Sequence, residues 1–228
     1  MPAFGKERSR REKFRGPGKE SYYRTSRPAR PILRPGSIRM SKQQLHQFLQ
    51  STGRIGAADA VAIAEPFVEK MVARGGLLLR QGQVSNDYFF LDQGWLRAFA
   101  LGPGGDEVST GFYQPGRMVL EPASFFTRAP AQENIQALTD CAGWALTFNQ
   151  FNELFHARPE FREFGRGLLV QGFASLKARM LEMVTLTAAE RYAQLLRNSP
   201  ELMQHVSVRH LASYLGITDT SLSRIRKG

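Results

Sequence analysis

The chain has 228 residues, of which 42% are apolar and 16 are Phe, enough for one large domain or two small ones around a sizeable core. Its net charge of +11 is uneven: residues 1–39 hold twelve Lys/Arg against three Glu, residues 40–205 fifteen basic against sixteen acidic, and residues 206–228 four basic against one acidic. The lone cysteine, Cys141, excludes an intramolecular disulfide and a multi-cysteine metal or iron–sulfur site within one chain, and no apolar run approaches the length of a membrane span.

The first 39 residues are rich in Arg, Gly, Pro and Ser and show neither helical nor strand period, so they read as a disordered basic tail. Two readings of it stay open: an arm that holds DNA phosphates, or an extension ahead of a true start at Met40. Ser41 and Gln44, next in the chain, have the spacing of a helix capping box. With no secretory signal pattern at the N-terminus, a soluble, cytoplasmic protein is expected.

From Lys70 to Leu146 short apolar runs alternate with turn residues: "GLLLRQG", "DYFFLDQGWLRAFAL", "EVSTGFYQPG" and "NIQALTDCAGWALTF". Gly82, Gly94, the Gly104–Gly105 pair and Gly116 lie between or beside them, which predicts a small antiparallel barrel or sandwich. Tyr88, Phe89, Phe90 and Trp95 suit its core, and Cys141 reads as a buried structural thiol.

The period then becomes helical. Leu169, Phe173, Leu176, Met180 and Met183 recur at intervals of 4, 3, 4 and 3 residues, the a/d seam of a coiled coil, which offers one helix face to a second chain. Leu168 and Val170 broaden that stripe toward the helix's own domain. Thr187 and Glu190 form a second capping-box spacing before "AAERYAQLLRNSP".

The chain closes on "VRHLASYLGITDTSLSRIRKG". Leu211 and Leu215 share one helix face, Ala212 leaves room for a crossing helix, Gly216 permits the turn and Ile217 plugs the corner. Thr218 can cap the next helix, with Leu222 and Ile225 on its core side. Thr218, Thr220, Ser221, Ser223, Arg224, Arg226 and Lys227 are left to contact double-stranded DNA. A plain helical hairpin would not need such side chains turned outward, so the pattern is that of a helix-turn-helix.

This order of elements resembles the Crp–Fnr family of bacterial transcription regulators, from about residue 41 onward. The resemblance rests on "LLLRQGQVSNDYFFLDQGWLRAFAL", "TAAERYAQLL" and "RHLASYLGITDTSLSRIRKG". It implies an α+β chain in four parts: the tail 1–39, a cyclic-nucleotide-binding-like jelly-roll barrel over 40–158, a dimerisation helix over 159–186, and a helix-turn-helix over 187–228. It also implies a homodimer on an inverted-repeat operator, with RNA polymerase as a candidate further partner. No cofactor, catalytic role or membrane partner is expected. The rival reading is a small-molecule sensor acting through protein partners.

Two departures qualify the resemblance. In the family's nucleotide pocket a Gly-Glu pair holds the ribose, and an Arg followed by Ser or Thr holds the cyclic phosphate. Here Glu121 matches the Glu but Leu120 replaces the Gly. The phosphate position reads Ala131-Gln132-Glu133, and Arg128 falls three residues early. Glu121, Arg128, Gln132 and Glu133 are thus the candidate effector residues of a pocket not expected to take cyclic AMP. A haem would need a His or Cys ligand, and His46, His156, His205 and His210 are scattered. The second departure follows Arg224: typical members continue into a β wing, which is expected to be truncated or absent here. Many relatives also carry Glu where this chain has Thr220, so a different operator is expected.

Overall fold

The computed structural model describes residues 40–227; the tail reading for 1–39 lies outside them. Two short helices lead, α1 (Gln43–Gln50) and α2 (Ala57–Ala64). The Ser41/Gln44 capping box does not form: Lys42 is the N-cap, without a side-chain cap bond, and Ser41 Oγ accepts only from Gln43 N at 3.2 Å. Lys42 is instead recruited to the end of α2, where its Nζ donates to Ala64 O and Glu65 O at 2.7 and 2.8 Å.

Eight strands follow: β1 (Val68–Val72), β2 (Leu77–Leu79), β3 (Asp87–Gln93), β4 (Leu96–Leu101), β5 (Glu107–Tyr113), β6 (Arg117–Val119), β7 (Asn134–Ala137) and β8 (Cys141–Thr147). A one-and-a-half-turn helix, α3 (Pro122–Thr127), interrupts them after β6. They pair antiparallel into two four-stranded sheets, β1-β8-β3-β6 and β2-β7-β4-β5, which close the jelly-roll barrel. Strand alternation sends Phe89, Leu91, Leu96, Ala98, Val119, Ile135 and Ala145 into the space between the sheets. The opposite faces of β3 and β4 are also covered, which is why both strands read as nearly unbroken apolar runs.

The outer face of β3 meets an aromatic cluster. Tyr88 and Phe90 pack with Phe48, Phe125, Phe151, Phe161 and Phe164. These come from α1, α3, α4 (Phe148–Ala157) and the long α5 (Pro159–Thr185); most of their rings meet at tilted or edge-on angles, while Phe161 and Phe164 lie near parallel. A Thr147/Gln150 capping box opens α4, and the Thr187/Glu190 box opens α6 (Ala188–Asn198). Three short helices follow among the described residues: α7 (Leu202–His205), α8 (Val208–Leu215) and α9 (Asp219–Ile225). Their core, formed by Tyr192, Leu202, Val206, Leu211, Ala212, Leu215 and Leu222, also takes in Trp95. Trp95 therefore belongs to the seat of the C-terminal helices and not to the barrel interior.

Gly143 lets β8 lie tightly on β3. A Cβ there would stand 2.1 Å from Phe90 O and 2.6 Å from Phe89 Cζ, atoms fixed by the ladder and the core. Gly143→Ala is expected to lower stability by about 1–3 kcal/mol or more. A lower urea midpoint at unchanged slope would register it, and an unchanged midpoint would contradict the packing described.

Candidate functional site

The α8–α9 pair is fixed at each of its ends. Ser207 caps α8, accepting from His210 N at 3.2 Å. Gly216, at φ 70°, ends α8 in the left-handed conformation, and Ile217 N then reaches back to Ala212 O at 3.0 Å. Thr218 caps α9, accepting from Ser221 N, and the two hydroxyls lie 3.0 Å apart. Thr218 and Ser221, both named for DNA contact, are thus bonded to each other at the start of α9, where Thr218 is the expected cap. Leu222 is fully buried and Ile225 packs beside it. Thr220, Ser223, Arg224, Arg226 and Lys227 are exposed, and positions 220, 223 and 224 follow one helical stripe away from Leu222.

Of the four residues named for the barrel pocket, Glu121 and Glu133 come near each other, whereas Arg128 is bonded elsewhere and Gln132 is exposed. Glu121 caps α3, its carboxylate accepting from Ala123 N and Ser124 N at 3.2 and 2.6 Å. Arg128, at φ 61°, bonds Ser85 O, Phe125 O and Asn86 and lies 4.0 Å over the Phe148 ring. Glu133 is half-buried and accepts from the Thr110 hydroxyl. Burial pushes the Glu133 carboxyl above its ordinary range, and Glu121 adds to this. The Thr110 bond and the charge of Arg179 oppose it. Burial, then Glu133 and Glu121, raise the Tyr113 phenol as well, so an acidic cluster stands around Tyr113. The cavity bounded by Leu79, Ser85, Val119, Leu120 and Ile135 is about 10 Å³, room for roughly one water.

Along α5, Leu169, Phe173, Leu176, Met180 and Met183 are exposed, Phe173 at 74%. Val170 and Val184 add to this apolar face, whereas Leu168 packs on the aromatic cluster. Met183 also reaches the α8–α9 turn, its methyl 3.2 Å from where a Cβ on Gly216 would sit.

Sequence reasoning missed the seat of the C-terminal helices. Arg97, fully buried on the outer face of β4, pairs with Glu107 and stacks on Phe99, while its Nε and Nη1 have no partner among the described residues. His210 of α8 lies in the field of Arg97, its Nδ1 also unpartnered. The available signal was a lone Arg inside the apolar run "WLRAFAL". Burial depresses the His210 pKa, Arg97 and Arg209 lower it further, and Glu107 opposes them. The unfolded chain therefore binds this proton more readily than the folded one. The stability owed to neutral His210 is complete above the ordinary pKa of 6.5 and is lost as pH falls below it. His210→Asn is expected to flatten that decline; an equal acid decline in wild type and variant would show that His210 does not titrate against folding.

Residues 69–158 match the cyclic nucleotide-binding domain family. Over 163 residues the chain is 26% identical to the transcriptional activator protein FnrA of Stutzerimonas stutzeri and 25% identical to the activator anr of Pseudomonas aeruginosa. The chain is similar to both activators. Each of these matches covers 67% of this chain and 66% of the relative, just under two thirds of the relative's length. Solved structures share the fold. FixK2 from Bradyrhizobium japonicum superposes at a TM-score of 0.60 with 18% identity, covering 71% of this chain and 83% of that one. The catabolite activator protein of Thermus thermophilus gives 0.51 with 19% identity, covering 79% and 85%. A Crp–Fnr family regulator of Eubacterium rectale gives 0.62 with 14% identity, covering 79% and 86%.

Proposed function

We propose that this chain is a sequence-specific, DNA-binding transcription regulator, a homodimer that reads an inverted repeat and does not depend on cyclic AMP. The observation that carries the reading is α9, whose apolar side is buried through Leu222 while Thr220, Ser223 and Arg224 stand exposed on one stripe. That is the side-chain chemistry a helix needs in a major groove. The relatives named as transcriptional activators support it, and so does the exposed apolar face of α5, which suits pairing with a second copy. The role is non-enzymatic and goes with a cytoplasmic location; among the described residues no helix is long and apolar enough to cross a membrane. Selection of duplexes from a random pool by the purified protein tests the reading. An inverted repeat with half-sites about one DNA turn, roughly 34 Å, apart is the expected product. Binding without sequence enrichment would reject it.

The same reading predicts no binding of cyclic AMP or cyclic GMP at physiological concentration. A micromolar ligand has about −8 kcal/mol of binding free energy, and an unpaired carboxylate against a phosphate in a partly dry site costs several kcal/mol of that. The sequence register puts the Glu133 carboxylate at the phosphate position, with only the Thr110 hydroxyl bonded to it, and Arg128 is engaged with Ser85, Asn86 and Phe148. Titration calorimetry should show no binding heat. Micromolar binding abolished by Arg128→Ala would show that the loop rearranges around a nucleotide.

A further inference from the structure

The α8–α9 pair is seated on β5 through a short row of contacts. The Ser213 hydroxyl accepts from Ser109 N at 3.1 Å and lies 2.9 Å from Ser109 Oγ, and the Tyr214 and Phe112 rings meet at 5.1 Å. Around these, Arg97 Nε, Arg97 Nη1 and His210 Nδ1 are buried without partners among the described residues. Each such group is desolvated without compensation, so the apolar seat formed by Trp95, Phe112 and Leu138 works against a polar deficit.

One side chain ties three elements together across this seat. Arg179 of α5 donates through Nη1 to Thr110 O of β5 and through Nη2 to Tyr214 O of α8, at 3.3 Å for the latter. Its guanidinium carbon lies 3.8 Å from the centre of the Tyr214 ring. A planar fork that bonds two carbonyls while stacking on an aromatic face is a geometry that an ammonium cannot reproduce. Thr110 is shared: its carbonyl takes Arg179 and its hydroxyl holds Glu133. The Glu133 carboxylate and the guanidinium on the long helix are thus fastened to two ends of one residue, and the charge of Arg179 acts on Glu133.

We propose that Arg179 is the positioning residue that holds the α8–α9 pair in one orientation on the barrel, with Thr110 passing the state of the Glu133 loop to it. The consequence for DNA rests on the DNA-reading role proposed above; the clasp itself does not. In a dimer this orientation sets the spacing between the two α9 helices, so releasing it would change which operators fit.

Trp95 reports the seat directly. It is 5% exposed, packs with the C-terminal helices and stacks on His205 at 4.9 Å. In a Trp144→Phe background it is the sole tryptophan. Arg179→Gln should shift its emission to the red and raise acrylamide quenching several-fold, while the barrel's unfolding midpoint stays in place. Arg179→Lys should behave like Gln, because the fork and the stack are lost. Thr110→Val, which keeps the carbonyl and removes the hydroxyl, should open the seat less. If Arg179→Gln fails to fold, Tyr214→Leu removes the stacked ring and should give the same opening. Quenching equal to wild type in Arg179→Gln, or in Tyr214→Leu where the first does not fold, overturns the proposal, as does full retention in Arg179→Lys. DNA binding measured alongside separates the two readings. An opened Trp95 in a protein that never bound DNA leaves the clasp standing and removes the DNA reading. A closed Trp95 with altered DNA affinity removes the clasp.

Discussion

Phe173→Glu is expected to leave the protein monomeric and to abolish tight operator binding. Phe173 is 74% exposed on its own chain, and Leu169, Leu176, Met180 and Val184 continue the same apolar face of α5. Burying an aromatic side chain is worth about 1.5–3 kcal/mol, and a two-fold interface counts that gain once from each subunit. The substitution removes both contributions and sets two carboxylates against each other in a desolvated seam, where pairing like charges costs more than in water. The fold itself should survive, because α5 is anchored at its other end by Phe161 and Phe164, both fully buried in the aromatic cluster. Sedimentation velocity should show a wild-type dimer and a variant monomer with unchanged circular dichroism. The wild-type thermal midpoint should also rise with protein concentration. A wild type that stays monomeric at micromolar concentration and still binds its site tightly would remove the dimer from the reading.

The strands and helices were legible in the sequence because their periods are strong. "DYFFLDQ" is apolar enough to be buried on both faces, and Leu211, Ala212, Leu215, Gly216, Ile217 and Leu222 each occupy the place their chemistry requires. Local signals competed less well with tertiary ones. Ser41 has the spacing of a capping box, yet Lys42 gains two carbonyls at the end of α2, and the helix starts around that bond instead. Thr187 has no such competitor, and its box forms in full.

The candidate site was half legible for the same reason. An exposed helix face follows from period alone, so the stripe of Thr220, Ser223 and Arg224 could be read off. What a polar side chain does in a loop depends on partners far along the chain. Arg128 spends its guanidinium on Ser85 and Asn86, over forty residues away, and Glu121 on the N-terminus of α3. Arg179 sits in a helix whose spacing advertises a seam; its bonds to Thr110 and Tyr214 span 69 and 35 residues and leave no local trace. Trp95 looked like barrel core because it borders an apolar strand, but it directly precedes β4 and lies on the outer side with Arg97, where α7 and α8 cover it.

Arg224→Ala should relax the base preference at one position of each half-site. Arg224 is exposed in the last turn of α9, on the stripe that carries Thr220 and Ser223. Its guanidinium can pair with guanine O6 and N7 together, and losing a good bidentate pair of this kind costs about 1–3 kcal/mol of discrimination. Arg226 and Lys227 stand beyond the helix end, so their charge is placed for phosphates. Phosphate contacts carry no base identity but release counterions, and losing one should reduce the salt slope of log K by about 1. Two different readouts therefore separate the roles. Against single-base variants of the selected operator, Arg224→Ala should flatten the penalty at one position, whereas Arg226→Ala and Lys227→Ala should weaken every variant alike and lessen the dependence on salt. Were Arg224→Ala to keep both affinity and base preference, α9 would not be presenting this stripe to the bases. Were it to alter only the salt slope, Arg224 would be a phosphate contact and the reading face would have to turn toward Thr220 and Ser223.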